Sequence, residues 1–125
     1  NLPKNIIIIS AKLKGNISSK KLIEEKQNEL IKRKKLSQPS QIKTCGSTFK
    51  NNKNKKAWEL IKDSGCDKFF VGDAKISEKH CNFFINNGKA TAANIEALIN
   101  NVREAVYNKN KINLELEIKI IGNEK

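Results

Sequence analysis

The sequence predicts an α+β domain, a small antiparallel or mixed sheet packed with helices, and three observations carry that expectation. Two segments place apolar residues at helical spacing: Leu22, Ile23, Leu30 and Ile31 in one, and Ile95, Leu98, Ile99, Val102 and Val106 in the other. Leu114 to Ile120 alternates apolar and polar residues with period two, the pattern of a strand with one buried face. Between them lie short runs of strand length, broken at Gly65, Gly72 and Gly88. No internal repeat is present.

Taken in order, Ile6-Ile7-Ile8-Ile9-Ser10-Ala11-Lys12-Leu13 is predicted as a strand, buried on both faces at first and then alternating. Ser18 or Ser19 is an N-cap for the helix that follows, with Glu24 and Glu25 in its early turns. Lys32-Arg33-Lys34-Lys35 complements the negative end of its dipole, and Gln38-Pro39 ends it before a polar connection to Cys45. A short strand is expected beyond Ser47, then a Lys/Asn-rich loop from Asn51 to Lys56. Ala57 to Lys62 is a short amphipathic helix, with Trp58 on its core stripe and Ser64-Gly65 as its stop. Phe69-Phe70-Val71 leads into Gly72; Ala74 to Ser77 and Cys81 to Ile85 are two more strands, the second ending at Asn86-Asn87-Gly88. Thr91 caps the longest helix, Ala92 to about Tyr107.

Composition excludes several classes. A chain of 125 residues is one domain, or one domain with a piece of another. At 38% hydrophobic residues it supports a core, and with only 6% aromatics that core must be chiefly Ile and Leu. No apolar run approaches the ~20 residues that span a bilayer, and no signal-peptide pattern opens the chain, so a cytoplasmic location without a membrane partner is expected. Cys45, Cys66 and Cys81 are odd in number and widely spaced, and the single histidine rules out a Cys/His zinc cluster, so reduced thiols and no metal are expected. The net charge of +12 suggests nucleic acid at first sight. Against that, the lysines are spread along the chain, and arginine, the better base reader, occurs only at Arg33 and Arg103. No nucleic-acid partner is expected; attraction of a polyanionic small molecule fits the charge better.

Six blocks in order resemble the C-terminal part of the UDP-N-acetylenolpyruvoylglucosamine reductase family, also called UDP-N-acetylmuramate dehydrogenases. They are Gln38-Pro39, Gly46-Ser47-Thr48-Phe49-Lys50-Asn51, the Ala57 to Gly65 helix, the Gly72 to His80 run, the Asn82 to Ala92 run, and Leu114 to Gly122. The sequence departs from the family pattern at Asn52, where proline is usual, and at Asp73, where glycine is usual.

The resemblance implies a flavoenzyme of peptidoglycan synthesis. NADPH reduces FAD, and the reduced flavin reduces the enolpyruvyl ether of UDP-N-acetylglucosamine enolpyruvate to UDP-N-acetylmuramate. Such a reaction needs a proton donor beside the α-carbon and charge stabilisation at the carboxylate. By the family pattern Ser47 is the donor, and Glu117 works with an upstream arginine at the carboxylate. Asn51 matches a ligand of the UDP diphosphate, Lys50 is a second anion contact, and His80 is a substrate-binding residue. On the strand pattern alone, Glu115 and Glu117 share one face and either is a candidate. The resemblance further implies that 1–36 are the last strand and helix of an FAD-binding domain, 37–122 the substrate-binding domain, and 123–125 a tail. No glycine-rich nucleotide loop occurs in the chain, so FAD is expected to be held by upstream FAD-binding domains of the same enzyme, and this chain by itself to be inactive. A basic nucleic-acid-binding module and a UDP-sugar-binding protein without redox activity stay open as alternatives.

Overall fold

The computed structural model describes residues 6–39 and 42–122, so the 123–125 tail lies outside the described residues. Residues 6–19 carry no regular secondary structure and are exposed. This corrects the strand expected over Ile6 to Leu13. A strand needs a ladder partner for its N–H and C=O groups, and among the described residues none pairs with this segment. Helix α1 (Lys20–Ser37) starts where Ser19 Oγ accepts from Leu22 N at 3.4 Å. It stops as Gln38, the residue before proline, turns extended with ψ 149°. No residue of α1 is buried.

The remaining elements are β1 (Lys43–Ser47), α2 (Ala57–Asp63), β2 (Phe70–Val71), β3 (Ala74–Ser77), β4 (His80–Asn86) and α3 (Ala92–Asn110). They form an α+β fold whose four-stranded sheet, in the order β1-β4-β3-β2, is antiparallel throughout and not mixed. The strand expected beyond Ser47 lies before it instead, ending at Ser47. Gly46, at φ 86°, takes the left-handed conformation inside a bulge between Thr44 and Ser47, and the bulge interrupts pairing with β4.

Local chemistry explains the helix ends. The peptide N–H groups of Gly65 and Cys66 donate to the carbonyls of Lys62 and Ile61, and Gly65 at φ 72° supplies the left-handed residue of this stop. At α3, Thr91 Oγ1 accepts from Asn94 N at 3.2 Å, while Asn94 Oδ1 accepts from Thr91 N at 3.0 Å. Helices α2 and α3 bury Leu60, Ile61, Leu98, Ile99, Val102 and Val106 against Ile76 and Phe84 of the sheet. Trp58 is half-buried and lies outside that core, a correction to its expected place.

The last segment keeps the expected alternation without forming a strand of its own. Leu114 is buried and Leu116 and Ile118 are half-buried, while Glu115, Glu117 and Lys119 face out. Its only sheet-like contact among the described residues is an antiparallel bridge between Phe49 and Leu116.

Candidate active site

The segment from Ser47 to Asn51 runs between two neighbours, and each fixes it through the backbone. On one side, Ser47 pairs with Phe83 of β4, and Thr48 N donates to Asn82 O at 2.8 Å. On the other, Glu117 N donates to Thr48 O at 2.9 Å and Lys50 N donates to Glu115 O at 2.8 Å. The final segment therefore folds back beside the Ser47 loop. It carries Glu117 to the residue next to Ser47, although some seventy positions separate the two in sequence. Ser47 is half-buried and Glu117 is exposed.

Glu115 and Glu117, which share an exposed face, differ in their partners. The Lys50 amine pairs with the Glu115 carboxylate. Glu117 has no cationic partner among the described residues. Because both side chains of the Lys50–Glu115 pair are more than half exposed, the pair holds orientation more than it adds stability.

Asn51 serves the fold. Its Oδ1 accepts from Ala57 N at 3.0 Å, which satisfies an otherwise unpaired N–H in the first turn of α2. Asn52, at the position of the usual proline, closes a turn by donating its N–H to Lys55 O at 3.0 Å. Lys50, Asn51, Lys53, Asn113 and Glu115 border an open hollow of about 290 Å³. Two amines, the three amides of Asn51, Asn52 and Asn113, and the Glu115 carboxylate border it; with Glu115 paired to Lys50, Lys53 is the amine left to meet an anionic ligand. A second, more apolar hollow of about 430 Å³ adjoins the Ser47 loop and is bordered by Cys45, Thr48, Phe84, Ile95 and Ile118.

His80 lies at the start of β4, on the Ser47 side of the molecule through Phe83. Its ring meets the Phe83 ring edge-on at 4.8 Å and the Trp58 ring at 6.5 Å. Burial pushes its imidazole below the ordinary 6.5. Its Nδ1 accepts from Asn82 N at 3.3 Å, so the neutral ring carries its proton on Nε2. Asp73 is also accommodated: Gly72 at φ 55° takes the strained position, and the Asp73 carboxylate accepts from Lys89 N at 2.8 Å.

One residue escaped the sequence reading. Asn82 is 3% exposed, and its side-chain amide accepts from Phe49 N at 2.9 Å and donates to Phe49 O at 2.8 Å. An asparagine in the middle of an apolar strand was the available signal, since a buried amide must find partners.

The comparisons with known proteins bear on the family and the fold. Residues 38–121 match the family model described as UDP-N-acetylenolpyruvoylglucosamine reductase, C-terminal domain. A UDP-N-acetylenolpyruvoylglucosamine reductase of Wolbachia pipientis wMel is 47% identical over 98% of this chain and 41% of the relative. One of Rickettsia akari is 43% identical over 98% of the chain and 41% of the relative. The crystal structure of UDP-N-acetylenolpyruvylglucosamine reductase (MurB) from Thermus caldophilus superposes with a TM-score of 0.68 at 35% identity, covering 81% of this chain and 35% of that one. The chain thus spans about two fifths of the length of the curated relatives it matches. With the family model matched over most of the chain and the fold shared with a solved member, the chain belongs to the UDP-N-acetylenolpyruvoylglucosamine reductase family, as its C-terminal domain.

Proposed function

We propose that this chain is the substrate-binding part of a cytoplasmic reductase of peptidoglycan synthesis, which converts UDP-N-acetylglucosamine enolpyruvate to UDP-N-acetylmuramate. The observation that carries this reading is the pairing of the Ser47 loop with the Glu117 segment through Glu117 N and Thr48 O. Saturating the enolpyruvyl double bond adds a hydride at the β-carbon and a proton at the α-carbon. FAD, held outside this chain and reduced by NADPH, would supply the hydride. The five glycines of positive φ among the described residues are widely separated, Gly46 in a strand bulge and the others outside the helices and strands, and the sequence has no glycine-rich nucleotide loop. The chain's residues do not fit a flavin pyrophosphate, so no flavin contact is assigned to them, and FAD-binding domains belong to the part of the enzyme outside the matched region. Residues 1–36, helix α1 included, are assigned to the end of that FAD-binding part, and 37–122 to the substrate domain.

Within this chain the Ser47 hydroxyl delivers the proton at the α-carbon. A free hydroxyl is a poor acid, so its contribution depends on being held at the reacting carbon. Glu117 acts at the carboxylate end of the substrate. A carboxylate beside an anion is costly unless it is paired with a cation or protonated, and Glu117, without a cationic partner among the described residues, is free to receive an arginine from outside the chain. Lys50 and Asn51 bind the UDP diphosphate at the hollow they border, and His80 contributes a neutral Nε2–H to substrate binding.

Calorimetry tests the assignment. UDP-N-acetylglucosamine enolpyruvate is titrated into this chain alone and into the chain joined to its FAD-binding part, and a DNA oligonucleotide serves as competitor class. Substrate binding by the joined protein, with turnover only there, is expected. Binding only to the oligonucleotide, with a salt slope of about one per phosphate contacted, rejects the reading. Substrate binding with no turnover in the joined protein converts it to a sugar-binding protein without redox activity.

A further inference from the structure

We infer that Asn82 is a positioning residue for the Ser47–Glu117 pair, a role that rests on the catalytic reading of Ser47 above. The bulge at Cys45 and Gly46 interrupts the β1–β4 ladder just before Ser47, where pairing resumes with Phe83. The bulge leaves Cys45 and Gly46 without ladder partners, so the reacting hydroxyl is held by the pairing that resumes at Ser47, and restraint of the residues just after it matters more. Asn82 supplies that restraint. Its side-chain amide offers one acceptor and one donor, and both are used by the same residue: Oδ1 accepts from Phe49 N at 2.9 Å and Nδ2 donates to Phe49 O at 2.8 Å. In effect the side chain stands in for a peptide unit and continues the ladder past the bulge. Its own carbonyl accepts from Thr48 N at 2.8 Å, so Asn82 holds the two residues that follow Ser47 at three points.

The same segment carries Glu117. Thr48 O and Lys50 N, on either side of the clamped Phe49, bond to Glu117 N and Glu115 O. Releasing Phe49 leaves Ser47 held only by its pairing with Phe83 and the Thr48–Asn82 bond, and loosens the segment that anchors Glu117. The clamp is buried, with Asn82 at 3%, Thr48 at 2% and Phe49 at 0% exposure. Water therefore cannot replace either bond cheaply. Asn82 also donates its peptide N–H to His80 Nδ1 at 3.3 Å, which ties the tautomer of His80 to the same residue.

Asn82→Asp separates this role from a purely structural one. When ionised, the carboxylate that N82D introduces still accepts from Phe49 N but faces Phe49 O with no donor. When protonated, the same carboxyl has one donor and one acceptor, as the asparagine amide does here. In the complete reductase, rapid-mixing absorbance follows flavin reduction by NADPH and substrate-dependent flavin reoxidation separately. With each pH point divided by the wild-type rate, we expect reoxidation by N82D to be slower by about 10²-fold at pH 8. It should recover as the pH falls and the buried carboxyl takes up its proton, while flavin reduction is unchanged and the near-UV spectrum stays native. Asn82→Ser, which adds no charge and keeps one hydrogen-bonding group, should lose less and show no pH recovery. It is the variant that decides if N82D does not fold. Wild-type reoxidation in whichever Asn82 variant folds, with Ser47→Ala collapsed, overturns the role of Asn82 alone. Wild-type reoxidation in Ser47→Ala overturns the reading on which it rests. A uniform fall in both half-reactions reduces Asn82 to a stability residue and overturns the inference as well.

Discussion

Helices α1 and α3 have apolar residues at the same helical spacing, and only α3 buries them. Leu22, Ile23, Leu30 and Ile31 of α1 are 59%, 52%, 53% and 44% exposed, whereas Leu98, Ile99, Val102 and Val106 of α3 are all at 1% or below. Helix α3 lies on β2, β3 and α2. Helix α1 reaches the rest of the described structure through little more than the Lys79 amine, which donates to Lys35 O at 3.1 Å. Periodicity thus specifies a face, and burial needs a second surface to receive it. For α1 that surface is not among the described residues. This fits the proposal that the chain works joined to a further part of the enzyme, since it spans about two fifths of its relatives.

Substitutions can break or sharpen this contrast. Leu98→Ala should cost about 2–5 kcal/mol in urea unfolding of this chain, from lost burial plus the cavity left behind. A loss under about 1 kcal/mol would mean that α3 is not the packed helix described. Leu30→Ala in the same chain should change stability by no more than about 0.5 kcal/mol. In the complete reductase the Leu30 substitution should cost more, and an unchanged small value would show that the further part of the enzyme leaves α1 uncovered.

Two titrations belong to the packed region. Burial, with help from Asp67 and Cys81, pushes the Cys66 thiol up from 9.0 to about 11. Because the folded state holds this proton more tightly, its stabilising contribution is complete below pH 9.0 and is lost as the pH rises towards about 11. Thermal melts of Cys66→Ala should fall less steeply across that window than those of the unsubstituted chain, and parallel slopes would assign the alkaline loss to other groups. The smaller effect is at His80, whose folded pKa lies below 6.5 because of burial. The unfolded chain takes up that proton first, so stability is full above pH 6.5 and declines below it. His80→Gln should flatten the acid limb of the melting curve, and an acid limb parallel to that of the unsubstituted chain would assign it to other groups.

The sequence made helices and caps legible where the signal was local. Ser19, Thr91 and Gly65 act where their chemistry requires, and the α3 stripe is buried as its spacing demands. Long-range pairing was not legible. Ile6 to Leu13 has strand composition but no ladder partner among the described residues. Leu114 to Ile120 keeps its alternation yet, among the described residues, bridges only at Leu116, because its neighbour is the short Ser47–Asn51 segment and not a full strand. The site follows the same division. Ser47 and Glu117 were named from block resemblance, and their backbone connection came only from the fold. Asn82 was hidden inside an apolar run, because an amide that replaces a peptide unit leaves no periodic trace. Trp58 was placed in the core by its spacing, but it lies over His80 at the edge of the packing.

The central claim is that Ser47 supplies the proton in a reaction whose hydride comes from outside this chain. Stopped-flow absorbance of the complete reductase carrying Ser47→Ala tests it most directly. Flavin reduction by NADPH should proceed at the wild-type rate, while reoxidation by UDP-N-acetylglucosamine enolpyruvate should slow by about 10²–10⁴-fold, the usual contribution of a positioned general acid. Reoxidation within a few-fold of wild type would contradict the account.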